Sequence, residues 1–559
     1  MMTPDARAFV LDNPSDQDAI NEALGQAYTV TEEHGVAGSG SRRRTWLDTF
    51  DWRLYGAGLV LEHEQTRRGG RLILTGKDGA LLADQPVTAW RSSRGAAVVP
   101  GGPVADRIAS LISPRALLPV ARAVSTNSVF RLLNTDGKTV ARVLIDHTTT
   151  TGTELSPRLL IAEVRGYPAQ ARKAASLLAA VASPATEPVF TAAAAANGRQ
   201  PGGYSGKVNA GITADMPAQV AVAKLLTSLL DTLEQNVDGV LRDIDTEFLH
   251  DLRVAVRRTR SALKLLGDML PADMITHYKA EFKWLGDLTT PVRDLDVYLL
   301  GYGDLATGLL AATPGDLEPF RQFLVRQRAR EFHRLTASLR SARFRELTLD
   351  WRKALAEFTE PAPRRDRRGA RSSARSGARS PARSGAGPSA RSEAGPSARS
   401  LATERTARAV RQLTRRGAAI TELSAPESLH DLRKRGKELR YLLEFFAPVY
   451  DRATYRMVLS DMKKLQDCLG EFQDSQVQRE ELTELARQLL ADGNPGGTDR
   501  AALAATLLAM GEINARLAAN QQRARADFGS RFAQFASPVT QRHIQALLTQ
   551  DVRLPEGDQ

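Results

Sequence analysis

Two segments, HDLRVAVRRTRSALKLL from His250 and HDLRKRGKELRYLLEFF from His430, repeat cations at helical spacing. On a helix turning 100° per residue, His250, Arg253, Arg257, Arg260 and Lys264 fall within an arc of about 80°. Leu249, Leu252, Val256, Leu263 and Leu266 occupy the adjacent arc and would face a core. The second segment repeats the stripe with His430, Arg433, Lys437 and Arg440, has Lys434 beside them, and carries Glu444 where Lys264 stood. Like charges on one narrow face repel one another and cost stability unless an anion lies along them. Arg supplies forked hydrogen bonds to oxyanions and Lys a compact charge. A neutral His near a helix N-terminus can donate a ring N–H to a phosphate oxygen, and a bound anion draws it toward the charged form.

The competing reading is a solvated face of i,i+4 ion pairs. No Glu or Asp interrupts the first stripe, and the spacing recurs in the second copy, which favours an anion site. Lys279 and Lys283 in KAEFKWLGDL, and Lys463 and Lys464 ahead of LQDCLGEF, would extend the basic surface. So would Arg326, Arg330 and His333 on a third helix; for all of these a merely solvated face stays equally open. Asp294 and Asp296 in RDLD, next to Arg293, read as structural ion pairs rather than metal ligands, as does Asp474. No metal or cofactor is called for.

Position 250 maps to 430 at a constant offset of 180, and a second shared feature follows each copy: LGDLTTPVRDLDV from Leu285 and LGEFQDSQV from Leu469. Apolar residues at three-and-four spacing run from about 216 to 550. An internal repeat of this size predicts two helical bundles about a pseudo-twofold, at 216–360 and 401–550. Between them, residues 361–400 form an Ala-Arg-Ser-Gly-Pro tract without a large apolar side chain, expected to be disordered.

Residues 1–196 read as α+β. Strands are expected at RTWLDTF, GLVLEHEQ, GRLILTG, TVARVLID and RLLIAEVRG, with hairpin turns at Asp78-Gly79 and Asp136-Gly137. RIASLI and PAQARKAASLLAAVA have helical spacing, and 197–215 is a linker.

At 559 residues the chain calls for two or three domains. Of its net charge of +12, residues 361–400 supply +8, since ten Arg there face only Asp366 and Glu393; +4 is left for the rest. Anion affinity of the folded part must therefore come from local clustering. The single cysteine, Cys468, excludes an intrachain disulfide and fits a reducing cytoplasm. The N-terminus lacks a signal-peptide pattern, and no apolar run of about 18 residues suggests membrane insertion.

The two His-Asp-Leu-Arg segments, with LGDLTTPVRDLDVYLL and MKKLQDCLGEFQDSQV, resemble the CHAD domain, the conserved histidine α-helical domain. That resemblance covers about 300 residues. It implies binding of inorganic polyphosphate and association with polyphosphate granules, with His250, Arg253, Arg257, His430, Arg433 and Lys437 in contact. TWLDTFDWRLYGAGLVLE and PRLLIAEVRGY resemble strands of the CYTH fold, an antiparallel tunnel-like barrel. Active CYTH enzymes hydrolyse triphosphates through an opening Glu-x-Glu-x-Lys that holds metal; this chain has PDARAFVLD there. The family's Arg-x-Arg is represented by Glu62 and Glu64, and only Lys77, Asp146 and Glu163 stand as remnants. The resemblance therefore implies a barrel without catalytic residues.

Three readings remain open at this stage. One is a polyphosphate-binding protein; the second is a metal-dependent triphosphatase; the third is a nucleic-acid binder using 361–400. Aromatics at 6% and the absence of helix-turn-helix or zinc spacing weigh against the third.

Overall fold

The computed structural model describes residues 8–11, 17–33, 41–87, 91–93, 95–185, 187–359, 395–491 and 500–549. Two compact units emerge: Met1–Gly206 with Arg242–Glu247, and Lys207–Leu241 with Phe248–Gln559.

The first unit is built on a thirteen-stranded sheet. Its main path runs Ser183–Pro184, Ala8–Val10, Arg158–Glu163, Thr139–Thr150, Leu117–Leu133, Arg42–Thr49, Leu59–Thr66, Gly69–Gly76 and Leu81–Val87. Pairing along it is antiparallel. All five expected strands are present. Alternation explains how they pack: Val143, Ile145, Leu159 and Ile161 face a core with Ile20, Leu24, Ala174 and Leu178 from helices Gln17–Gly25 and Pro168–Leu178. Gly79 and Gly137 adopt φ of 83° and 73° in the turns, a region open to glycine and costly to other residues.

The short helix Arg53–Gly56 is anchored by one carboxylate. Asp48, 2% exposed, accepts the N–H of Thr49 at 2.7 Å and Leu54 at 3.0 Å on one oxygen, and that of Tyr55 at 2.9 Å on the other. Burial pushes its pKa up to about 6 against the pull of those three N–H groups. Asp48→Asn replaces one acceptor by an amide NH2 facing a backbone N–H. We expect a loss of about 1–3 kcal/mol in urea unfolding; an unchanged midpoint would dismiss the anchoring role.

Among the described residues of the second unit, ten helices of twelve or more residues form two sets. Ala218–Leu241, Thr246–Leu265, Ala272–Leu300, Glu318–Leu339 and Ala342–Thr359 make the first. Ala398–Ala418, Pro426–Phe445, Arg452–Ala491, Arg500–Phe535 and Pro538–Thr549 make the second. The first three helices of each set start 180 residues apart, at Ala218 and Ala398, Thr246 and Pro426, Ala272 and Arg452. The two halves meet reciprocally: Ala218 N donates to Pro396 O at 2.8 Å and Ala398 N to Met216 O at 2.7 Å, with a bridge between Pro217 and Ser397. This is the isologous pattern a twofold imposes.

That pairing corrects one expected boundary. Residues 361–394 of the Arg-rich tract lie outside the described residues. Residues 398–400, however, already belong to a helix, because the bridge fixes Pro396 and Ser397, and the Ser397 hydroxyl caps the Ser400 N–H. The histidines also move: both helices begin four residues before them, so His250 and His430 sit past the first turn, where the dipole acts less.

Leu249, Leu252, Val256 and Leu263 are buried as their spacing predicts, and Leu429, Leu432 and Leu443 repeat them. Helix Arg500–Phe535 contains an 18-residue window of mean hydropathy 1.2, although the sequence shows no unbroken apolar run of that length. Its Ala509, Met510, Ile513 and Leu517 pack with Leu317, Phe320, Phe323, Leu324 and Leu482, which accounts for the apolar character of that face.

Candidate anion-binding site

Four helices of the second unit line a cavity of about 470 Å³. Helix Thr246–Leu265 contributes His250, Arg253 and Arg257; Ala272–Leu300 contributes Arg293, Asp294, Val297 and Tyr298. From the other half come Arg433 and Lys437 on Pro426–Phe445, and Asp474, Val477, Gln478 and Glu481 on Arg452–Ala491. Five pairs of lining residues stand 180 apart: Arg253 and Arg433, Arg257 and Lys437, Asp294 and Asp474, Val297 and Val477, Tyr298 and Gln478. The last pair touches, the Tyr298 hydroxyl donating to the Gln478 carbonyl at 3.0 Å. The second shared feature thus aligns at 180 as well, through Asp294 and Asp474 rather than through Leu285 and Leu469.

The two stripe helices are also braced to each other. Arg258 donates to Glu444 at 3.0 Å and Lys264 to Glu438 at 2.7 Å. Arg258 and Glu438 are equivalent positions, as are Lys264 and Glu444. The braces are therefore one contact repeated by the pseudo-twofold, with both cations on the first helix and both carboxylates on the second. Glu444, which shortens the second stripe, stands opposite the first stripe's helix and serves this brace.

Residues 224–483 match the CHAD domain family. This chain carries a CHAD domain. A crystal structure of the CHAD domain from the plant Ricinus communis is 25% identical, covering 60% of this chain and 96% of its own, with a TM-score of 0.44. PptA from Streptomyces chartreusis is 15% identical, covering 56% and 99%, with a TM-score of 0.39. An adenylyl cyclase-type protein from Hippeastrum, described as having a dominant triphosphatase activity, is 11% identical, covers 36% and 99%, and has a TM-score of 0.25. No curated relative matches.

Within the CHAD cavity Arg253, Arg293, Arg433 and Lys437 are half-buried, Arg257 is exposed, and all five line one space. Lys437 has its pKa lowered to about 8 by burial, then by Arg433 and Arg257, with Asp474 opposing. Burial likewise lowers that of Arg253, aided by Arg257, Arg293 and Arg260 and opposed by Asp294. Three carboxylates offset the charge. Asp474 accepts from Arg433 at 2.6 Å, and Asp294 lies 3.9 Å from Arg253, which also donates to Thr290. Burial raises the pKa of Asp294 and lifts that of Glu481 to about 7, Glu481 being pushed further by Asp294.

The remaining candidates lie outside the cavity lining. His430 is bonded through Nδ1 to Gln473, whose counterpart at 293 is the cavity's Arg293; the symmetry is broken there, and only His250 reaches the cavity. Lys264 is taken by its brace. Lys283 pairs with Asp287, Lys434 with Asp431, Arg440 with Glu444 and Lys463 with Asp467, all on their own helices. Arg260, Lys279 and Lys464 are exposed on helix surfaces. For Lys283, Lys434, Arg440 and Lys463 the solvated ion-pair face is what the structure shows. Asp296 pairs with Arg328 at 2.6 Å and Asp294 lies 3.9 Å from Arg253, so both aspartates stand in ion pairs. Sequence reasoning passed over Glu481, Tyr298 and Gln478, which carry no stripe of their own.

In the first unit, Glu62 receives both guanidinium N–H groups of Arg44, at 2.6 and 2.7 Å. Asp146 accepts from Arg42 at 2.9 Å and Arg44 at 3.3 Å, and Glu64 lies 3.6 Å from Arg42. Lys77 places its ammonium over the Tyr55 ring, 3.6 Å from the centroid, while Glu163 is exposed. Asp146 and the two glutamates are thus engaged by arginines.

Two outcomes follow. In a double-mutant cycle, Arg258→Glu and Glu444→Arg should each destabilise the protein, while the pair recovers roughly 1 kcal/mol of coupling; strict additivity would remove the brace. For Glu481, the folded pKa of about 7 exceeds the ordinary 4.5, so the folded state keeps a proton that the unfolded chain loses between those values. The associated stability is present at acid pH and is lost as pH rises through about 7. Glu481→Gln should leave Tm nearly unchanged at pH 5 and raise it by roughly 2–4 °C at pH 8. Equal shifts at both pH values would count against it.

Proposed function

We propose that this protein binds inorganic polyphosphate through the CHAD cavity. The observation that carries the reading is that His250, Arg253 and Arg257 from one helix and Arg433 and Lys437 from its counterpart line a single cavity. A polyphosphate carries about one negative charge per unit and no bases, so its recognition rests on charge and on oxygen acceptors, as in phosphate-backbone recognition of nucleic acids. Arg253, Arg257, Arg293 and Arg433 offer donor forks, and a bound anion holds Lys437 in its charged form. Asp474 and Asp294 hold Arg433 and Arg253 until a phosphate oxygen takes their place. On this reading the protein resides in the cytoplasm with deposits of the polymer.

The triphosphatase alternative needs carboxylates open to a metal, whereas Glu62, Glu64 and Asp146 are paired with Arg42 and Arg44. The nucleic-acid alternative rests on the Arg-rich tract.

Competition between long-chain polyphosphate and duplex DNA at near-physiological salt tests the reading. Polyphosphate should win, and its affinity should survive deletion of residues 361–394, which spares the helix beginning at Ala398. Arg257→Glu with Lys437→Glu should weaken polyphosphate binding about 100-fold or more, at ~1.5 kcal/mol for each lost charge-assisted contact. Indifference to the double change, or equal affinity for DNA, would overturn the proposal.

A further inference from the structure

Lys437 differs from four other lysines of the basic surface. Lys264, Lys283, Lys434 and Lys463 each have a carboxylate within ion-pair distance and stand exposed. Lys437 has no such ion pair among the described residues, is half-buried, and shares its cavity with Arg253, Arg257 and Arg433. The same surroundings that would hold a phosphate group thus hold an amine stripped of its usual counter-charge.

We propose that Lys437 is a nucleophilic modification site for acyl phosphates, small molecules in which an acyl group is joined to phosphate. The guanidiniums of Arg257 and Arg433 seat the phosphate oxygens, which brings the acyl carbon to the neighbouring amine. The nitrogen lone pair of neutral Lys437 attacks that carbon and forms the N–C bond. The C–O bond to phosphate breaks, phosphate leaves with the electron pair, and the amine proton passes to water. The products are an amide and inorganic phosphate, with no oxidation or reduction. Burial and the surrounding arginines favour the neutral amine that the step requires, the pKa being about 8. The amide is uncharged, so the modification removes one cation from the cavity. This inference uses the cavity's affinity for phosphate oxygens, which also underlies polyphosphate binding, but it does not need the polymer.

The test treats the full-length protein at pH 7.5 with acetyl phosphate and follows each lysine by peptide mass spectrometry. A parallel series uses the uncharged N-hydroxysuccinimidyl acetate. With acetyl phosphate, Lys437 should react about tenfold faster or more than the exposed Lys279 and Lys464, and saturating tripolyphosphate should protect it. Arg257→Gln should slow this reaction by a clearly larger factor than the one with the uncharged reagent, which it reaches only through the amine's protonation. Modification of Lys437 no faster than of Lys279 overturns the proposal. So does an equal preference for Lys437 with both reagents, which would mean a reactive amine without phosphate guidance. Selective acetylation in a protein that shows no polyphosphate binding by titration would sink the polymer reading and leave this one standing.

Discussion

The helical unit rests on reciprocal contact between its two halves. Two sets of contacts show it: a bond from residue i of one half to residue j of the other returns as a bond between the partner of j and the partner of i. Ala218 with Pro396 and Ala398 with Met216 state this at the backbone. Arg258 with Glu444 and Lys264 with Glu438 state it in side chains. Because helices Thr246–Leu265 and Pro426–Phe445 are joined in this way, their cationic faces are held on one cavity instead of on separate walls. The side-chain brace adds polarity. Positive ends all belong to the first helix and negative ends to the second, so two copies of either helix could not replace the pair.

Crowding cations creates a problem that carboxylates solve locally. Arg433 rests on Asp474, Arg253 lies near Asp294, and Glu481 sits behind them with a proton retained to about neutrality. Such an arrangement keeps the arginines extended and ordered without a ligand, reducing the side-chain entropy lost on binding. It also tempers affinity, since an incoming oxyanion must displace carboxylates. The cavity's charge changes across neutrality, because Glu481 and Lys437 titrate about one unit apart in surroundings that push one pKa up and the other down.

Much of this was legible in the sequence because a repeat writes its own symmetry. The 180-residue offset, the apolar arc of Leu249, Leu252 and Leu263, and the five strands rest on periodicities that burial enforces. Other features were not legible. Strand Leu117–Leu133, which pairs along much of its length on both sides, contains Pro119 and the polar stretch STNS, so its alternation is interrupted. Asp474 and Glu481 lie more than forty residues beyond His430, and only folding brings them to the arginines. The ion pairs of two outer lysines could also be read there: Asp287 and Asp467 stand four residues after Lys283 and Lys463.

The pseudo-twofold of the cavity also bears on the shape of what enters it. A nucleic-acid strand has unlike ends and reads differently in each sense, whereas a linear phosphate polymer reads the same from either terminus. Arg253 and Arg433, Arg257 and Lys437, and Asp294 and Asp474 present a similar sequence of charges to a guest lying along the cavity in either sense. Two orientations of a directionless guest then become equivalent, doubling the ways in which it can be held. His250 and Arg293, set against His430 and Gln473, and Glu481, set against Gly301, break that equivalence.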